Sequence, residues 1–172
     1  MTETTPYEVA GTAGEAEIRR YPPIVLATVQ DNDNGGGFRL LFAYITGANR
    51  ARDTIPMTAP VITSSTIPMT SPVISGGGMM SFVLPAGMAA DQAPEPTDGR
   101  VRLETVPARE LAVVRFSGRA RPADVAAAAA RLAEELAKAG ITVQGTPFLM
   151  RYNAPMTPGF LRRNEVAVEI RR

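Results

Sequence analysis

Residues 18–29, IRRYPPIVLATV, decide the fold, because they align without a gap to residues 103–114, LETVPARELAVV, 85 positions further along the chain. Three further landmarks match in the same order at offsets of 84 to 87: the segments that begin at residues 38 and 125, the PMT triplets at 68–70 and 155–157, and residues 82–84 with 166–168. Chance likeness between strands is the alternative explanation. Four matches in one order favour an internal duplication.

The two halves span about residues 7–85 and 100–172 of a single domain, residues 1–172. Each half predicts a strand, a proline-containing turn, a second strand, a helix and further strands. We therefore expect an α+β fold in which two βα-rich halves are related by a pseudo-twofold axis. The economical assembly places both helices on one antiparallel sheet or open barrel.

The first helix is predicted over residues 38–46, after the turn-forming DNDNGGG of residues 31–37. Phe38, Leu41, Phe42 and Ile45 recur with the i, i+3, i+4, i+7 spacing of a buried helical face. We expect this stripe to contact the sheet.

The opposite side of the same helix carries Leu40, Ala43 and Tyr44, with Arg39 beside them. A helix on a sheet buries only one face, so a second apolar face needs a partner. One candidate is a flat apolar ligand whose carboxylate pairs with Arg39. The other is a covering loop of the protein itself, for instance from residues 55–60.

The second helix is predicted to begin at Pro122, where a missing N–H costs nothing, and to end at Gly140. Asp124 favours the positive end of the helix dipole. The predicted buried face consists of Val125, Ala128, Ala129, Leu132, Leu136 and Ala139.

A short repeat lies within the first half: TIPMTAPV at residues 54–61 recurs as TIPMTSPV at 66–73. Proline removes a ladder donor, so each copy predicts an edge or bulged strand. Met57 and Met69 occupy matching positions. Core or loop packing is the favoured role of both, and contact with a ligand is the alternative.

Residues 162–164, Arg-Arg-Asn, precede the predicted last strand. Two arginines in sequence suggest either an anion site or the pairing of an arginine with a buried carboxylate. Glu17 and Glu165 are the candidates for that carboxylate, and the structural role is favoured.

The chain has 172 residues, of which 18 are basic and 17 acidic, without a long run of like charge. This balance disfavours nucleic acid as a partner, since binding it needs a basic face. The N-terminus lacks an apolar segment, and no stretch approaches 18 consecutive apolar residues. We therefore expect no signal peptide, no membrane span and a cytoplasmic location.

Histidine and cysteine are absent from the sequence. This excludes a Ser-His-Asp triad, a histidine general base, a cysteine nucleophile, a thiolate zinc site and histidine ligation of heme iron. We expect no catalytic residue and no metal site. Met57, Met69 or Tyr44 remain only as weak axial ligands to a heme iron.

Several segments in order resemble the SOUL heme-binding family. They are the opening YEV and EIRRY at residues 7–9 and 17–21, the helix pattern FxxLxxYIxGxN at 38–49, the doubled IPMT-[AS]-PV, FVLP at 82–85, VVRFSG at 113–118 and RRNEV at 162–166. These segments run through nearly the whole chain.

The resemblance implies a distorted antiparallel β-barrel with two helices and an internal repeat. It also implies non-catalytic binding of heme or another tetrapyrrole in an apolar groove beside the first helix, without histidine ligation. The site residues would be Arg39, Leu40, Ala43, Tyr44, Met57 and Met69. The alternatives are an effector-binding domain of the same fold with an apolar or cationic ligand and, less favoured, an enzyme that processes heme or a bilin.

Overall fold

The computed structural model describes residues 3–30, 36–64, 78–153 and 156–172. Within them, eleven strands form one mostly antiparallel sheet that carries two α-helices, an α+β fold. The helices are α1 (Gly36–Ile45) and α2 (Pro122–Ala139), and a 3-10 helix spans Gly159–Leu161. The strands are β1 (Glu3–Thr4), β2 (Glu8–Ala13), β3 (Ala16–Tyr21), β4 (Ile24–Gln30), β5 (Thr58–Ser64), β6 (Met79–Val83), β7 (Arg102–Val106), β8 (Arg109–Phe116), β9 (Thr142–Val143), β10 (Phe148–Arg151) and β11 (Asn164–Arg171).

The sheet is open, so it agrees with the expected antiparallel sheet and does not close into the distorted barrel that the family resemblance implies. The strand order is β2-β3-β8-β11-β10-β5-β6-β4-β7, and within the described residues β2 and β7 share no ladder. Pro22 and Pro23 alone connect β3, near one end of this order, to β4, near the other. The sheet must therefore curl, yet proline lacks the N–H that would continue a ladder across the bend.

The strand order is symmetric about the contact between β5 and β10. The eight central strands have the order β3-β8-β11-β10-β5-β6-β4-β7. The same order, read backwards, results when each strand is exchanged for its counterpart in the other half: β3 for β7, β4 for β8, β5 for β10 and β6 for β11. A pseudo-twofold axis would produce this pattern. The duplication itself stays a prediction from the sequence.

Both helices lie on the same face of the sheet. Helix α1 packs on β4 and β6, and α2 packs on β8 and β11. Leu149 packs in the apolar core beneath α2, and Met80 packs against the apolar core beneath α1, called here the α2 core and the α1 core. Thr63 of β5 is paired with Leu149 on one side and with Met80 on the other. Paired residues project from the same face of a sheet. The inner face, which is the other face of the curled sheet, is therefore free of helices in the described part of the chain.

The bounds of helix α2 follow the sequence signals. The Asp124 side chain accepts a hydrogen bond of 3.1 Å from the backbone N–H of Arg121, and Gly140 ends the helix in the left-handed conformation at φ 67°. Ala139, predicted to be buried, is exposed. The buried face consists of Val125, Ala128, Ala129, Leu132 and Leu136, as predicted.

Strand β5 contains the second half of the first copy of the short repeat, residues 58–61. It lies between β10 and β6, so it is not an edge strand. Its pairing with β6 shifts between Thr58 and Val61, which places Pro60 in an irregular stretch of the ladder. The second copy, at residues 66–73, lies wholly outside the described residues, as does most of the turn at 31–37.

Candidate functional site

Helix α1 is rotated relative to the sequence prediction. Tyr44, expected on the outer side, is 1% exposed, whereas Phe42, expected in the core, is 47% exposed. Leu41 and Ile45 are buried as predicted. Tyr44 follows Leu41 by three positions on the helix, so the buried face is centred nearer Leu41 and Tyr44 than Phe42.

A segment of the chain between β6 and β7 covers the Tyr44 side of α1. The Tyr44 hydroxyl donates a hydrogen bond of 2.6 Å to the Pro94 carbonyl oxygen. Leu40, Met88 and Ala93 belong to the same core. The predicted alternative, a covering loop, therefore describes Leu40 and Tyr44, although the segment comes from residues 84–97. Ile55 contributes from the loop that was expected to do so.

Buried Asn49 fixes the chain after α1. Its Nδ2 donates to the carbonyl oxygens of Tyr44, at 2.9 Å, and Asp53, at 2.8 Å. Its Oδ1 accepts from the Asp53 N–H at 3.0 Å. Asn49 also bridges to Pro96 through the backbone. Asn49, the last residue of the pattern FxxLxxYIxGxN, therefore joins α1 to the covering segment.

The outer face of α1 consists of Arg39, Phe42 and Ala43, all of which are exposed. The Phe42 ring stacks on Phe38, with 6.0 Å between the centroids and 12° between the planes. Arg39 makes no ion pair with any described residue. The outer face therefore combines an aromatic surface with an available guanidinium.

The described residues include two of the three expected axial ligands, Met57 and Tyr44. Met57 is half-buried against the α1 core, and Met69 lies outside the described residues. Burial raises the pKa of Tyr44, so its hydroxyl stays protonated and is already bonded to Pro94. Among the described residues, no cluster of three or more His, Cys, Asp or Glu side chains suits a metal ion. The protonated Tyr44 hydroxyl, already bonded to Pro94, is therefore poorly placed to ligate a heme iron.

A groove of about 320 Å³ opens on the inner face of the sheet, a volume at the low end of the range for small-molecule sites. Leu26, Ile62 and Phe148 supply apolar surface. Thr28 and Ser81, joined by a hydrogen bond of 2.8 Å, supply hydroxyl groups. Both halves of the chain line this inner groove, because the curled sheet brings β4, β6 and β7 opposite β10 and β11.

The charges of the inner groove are two carboxylates, Glu104 and Glu169, and one guanidinium, Arg109. Arg109 lies 3.8 Å from Glu169 and 5.2 Å above the centre of the Phe148 ring. Burial lowers the pKa of Arg109, although the charge of Glu169 partly opposes this. Glu104 is exposed and has no ion pair among the described residues. The groove is therefore acidic on balance.

A buried ion pair lies on the same face. Glu165 is fully buried and accepts two hydrogen bonds from Arg19, at 2.8 and 2.7 Å. Arg163 lies 3.1 Å from the same carboxylate, which confirms the predicted pairing of an arginine with Glu165. Arg19 also donates to Glu17, at 2.6 Å, and to the hydroxyl of Tyr21, at 3.1 Å.

Hydrogen bonds hold Glu165 ionised. Burial alone would raise the pKa of its carboxyl, but hydrogen bonds from Arg19 and Tyr152 outweigh this and lower it. The same burial raises the pKa of Tyr152 far above its usual range, so its hydroxyl remains a donor. The Arg19 guanidinium lies 4.2 Å from the centre of the Tyr7 ring. The network is fully paired and fits a structural role.

The comparison with known families assigns the chain. Its sequence matches the SOUL heme-binding protein family over residues 2–169, nearly the whole length. The chain belongs to the SOUL family. No curated protein matches the SOUL chain. Family membership indicates a ligand-binding protein.

Solved structures share the fold of this SOUL chain at low identity. The C-terminal domain of EcmrR has a TM-score of 0.61 at 13% identity, with 96% of this chain and 98% of that chain covered. A hydrolase from Listeria innocua has a TM-score of 0.62 at 11% identity, with 94% of each chain covered. SAV2435 bound to tetraphenylphosphonium has a TM-score of 0.53 at 13% identity, with 91% and 94% covered. Such likeness shows the fold alone.

Neither helix in the described part of the SOUL chain has the length and hydropathy that crossing a membrane requires.

Proposed function

We propose that the protein binds heme or a related tetrapyrrole without chemical turnover, as a carrier or buffer in the cytoplasm. The observation that carries this proposal is the outer face of α1, where Phe42 and Ala43 are exposed beside Arg39, which has no ion pair among the described residues. Membership of the SOUL family supplies the ligand class.

The outer face suits a molecule that is flat, apolar and anionic at its edge. The Phe42 ring offers an aromatic plane that is already stacked on Phe38. Arg39 offers a cation for a propionate. Leu40 and Tyr44 lie beneath the covering segment, so we infer that they support the helix while Arg39, Phe42 and Ala43 contact the ligand.

Reversing the charge of Arg39 should weaken hemin binding. We expect Arg39→Glu to raise the Kd for hemin about tenfold, or about 1.4 kcal/mol, since a propionate would then face a carboxylate. Ala43→Glu should act in the same direction, because the contact would desolvate an unpaired charge. Titration of the purified protein with hemin, followed at the Soret band, measures both effects.

Arg171→Glu is the matched control, since Arg171 is an exposed arginine at the end of β11. It should leave the Kd for hemin within about twofold. Met57→Ala should keep the Kd within about tenfold if Met57 only packs against the core. Unchanged hemin affinity in both α1 variants would rule out the outer face as the site.

A cationic or zwitterionic small molecule in the inner groove is the second candidate. The observation that favours it is the pair of carboxylates, Glu104 and Glu169, against the single guanidinium of Arg109. The aromatic ring of Phe148 would favour an organic cation further. SAV2435, which shares the fold, is bound to tetraphenylphosphonium, a large organic cation.

Tetraphenylphosphonium is therefore a suitable probe of the inner groove. We expect Glu104→Gln to raise its Kd about fivefold, roughly 1 kcal/mol, since one attractive charge is lost from a partly solvated groove. Isothermal titration calorimetry measures the change. Arg39→Glu should leave tetraphenylphosphonium binding unchanged, and Glu104→Gln should leave hemin binding unchanged. No detectable binding of the cation by the unaltered protein would eliminate this candidate.

We also infer that the two halves arose by internal duplication. The repeated sequence at residues 18–29 and 103–114 and the symmetric strand order support this inference. A duplicated fold that curls would place equivalent strands of the two halves around the inner groove.

A further inference from the structure

An apolar tip projects from the loop between β10 and β11. Its side chains are Met156, Phe160 and Leu161, which are 95%, 78% and 61% exposed. Exposed side chains of this size that stand together on a short loop mark a contact surface more often than scattered single residues do. Neither the outer face of α1 nor the inner groove includes them.

The tip is held in place rather than loosely attached. The 3-10 helix Gly159–Leu161 is closed by backbone bonds from Leu161 to Pro158 and from Arg162 to Gly159. The Gly118 N–H donates to the Gly159 carbonyl at 2.9 Å, which ties the loop to the end of β8. Phe160 and Leu161 are therefore presented to solvent by a fixed backbone.

Three arginines lie in or beside the loop that carries the tip. Arg162 follows Leu161 directly and donates from Nε to the Thr157 carbonyl at 2.8 Å. The Arg119 side chain lies against Gly159. Arg151 is the last residue of β10, at the start of the loop that carries the tip, and its side chain is exposed. Arg119 and Arg151 make no ion pair with a described residue.

The only fully buried carboxylate in this part of the described structure, that of Glu165, is already paired with other arginines. Glu165 pairs with Arg19, Arg163 and Arg115. Asp124, near the start of α2, lies 3.6 Å from Arg121. Arg119 and Arg151 therefore add positive charge near the tip that no ion pair among the described residues offsets.

We propose that the apolar tip and its arginines dock the protein onto an anionic lipid surface. Apolar side chains beside arginines match a bilayer interface, where Phe and Leu enter the acyl boundary while guanidinium groups reach the phosphates. A second copy of the chain fits less well, since a twofold contact would set these arginines against one another. Nucleic acid would use the arginines but leave the apolar side chains without a role.

Co-sedimentation with vesicles tests the proposal. Vesicles of phosphatidylcholine with about 30% phosphatidylserine should bind the protein at low salt, and binding should weaken as salt rises. Vesicles of phosphatidylcholine alone should bind it at least about fivefold more weakly. Phe160→Ser combined with Leu161→Ser should reduce binding to the anionic vesicles about tenfold, and Arg119→Glu about threefold.

Val143→Ser is the matched control. Val143 is also an exposed apolar residue. It pairs with Ile170, near the C-terminal end of β11, whereas the tip precedes Asn164 at the N-terminal end of that strand. The Val143→Ser variant should bind vesicles as the unaltered protein does. All variants should keep the thermal midpoint of the unaltered protein, since the altered side chains are exposed. Absence of binding to the anionic vesicles would overturn the proposal. So would binding that the double variant retains in full, or equal binding to both kinds of vesicle.

Discussion

Glu165→Ala should lower the free energy of unfolding by about 3 to 5 kcal/mol. The Arg19 side chain is only 3% exposed and makes two hydrogen bonds with the Glu165 carboxylate. Without that partner its charge stays buried and unpaired, which costs much more than a lost surface ion pair. Urea unfolding measures the loss. The expected loss is a large part of the free energy of unfolding of a typical domain, which is about 5 to 15 kcal/mol.

Arg115→Ala is the control for this experiment. Arg115 lies 3.6 Å from the same carboxylate but is 59% exposed, so its removal should cost less than about 1 kcal/mol. Arg19→Met combined with Glu165→Leu should recover much of the loss, because apolar side chains fill the space without a buried charge. A loss below about 1 kcal/mol for Glu165→Ala would show that Arg19 finds water or another partner.

The same pair makes stability depend on pH. The pKa of Glu165 is lowered in the folded protein relative to its usual value of 4.5, because hydrogen bonds from Arg19 and Tyr152 outweigh burial. The stabilisation is therefore complete above pH 4.5 and is lost as the pH falls through the lower folded pKa. Urea unfolding of the unaltered protein below pH 4.5 should show this decline, and Glu165→Gln should lack this contribution.

Tyr44→Ala should lower the free energy of unfolding by about 3 to 5 kcal/mol, the range for truncating a buried aromatic side chain. The ring is 1% exposed and belongs to the α1 core, and its hydroxyl holds the covering segment through Pro94. Urea unfolding measures the change.

Tyr44→Phe separates packing from ligand contact. It keeps the ring and loses one hydrogen bond, so the expected cost is about 1 kcal/mol. Hemin affinity should stay within about twofold, since the hydroxyl contacts Pro94. If Tyr44→Phe keeps its stability and loses hemin binding, the inference that Tyr44 only supports the helix is wrong.

Local patterns predicted most of the elements. The spacing of Val125, Leu132 and Leu136 identified the buried face of α2, and Pro122 and Gly140 its ends. These signals lie within one element, so they need no knowledge of the surroundings. The core of α1 was only half predicted, because the burial of Tyr44 in place of Phe42 depends on a segment some 50 residues away.

The candidate sites show the same division. Arg39 and Ala43 are exposed on the predicted side of α1, but no local pattern indicates that Leu40 is partly buried against the same core as Met88 and Ala93. The inner groove was not predicted at all. Glu104 and Glu169 line the same groove only because the sheet curls, and no local spacing encodes that curvature.

The sequence by itself determined the class of fold, the family and the exclusion of imidazole and thiolate chemistry, since these depend on residue identity and on the order of elements. Tertiary structure alone decided that the sheet stays open, that Glu165 pairs with Arg19 over 146 residues, and which side of α1 faces solvent. The physical reason is that burial and pairing are properties of what surrounds a side chain. Those surroundings come from segments whose mutual placement is fixed only when the whole sheet assembles.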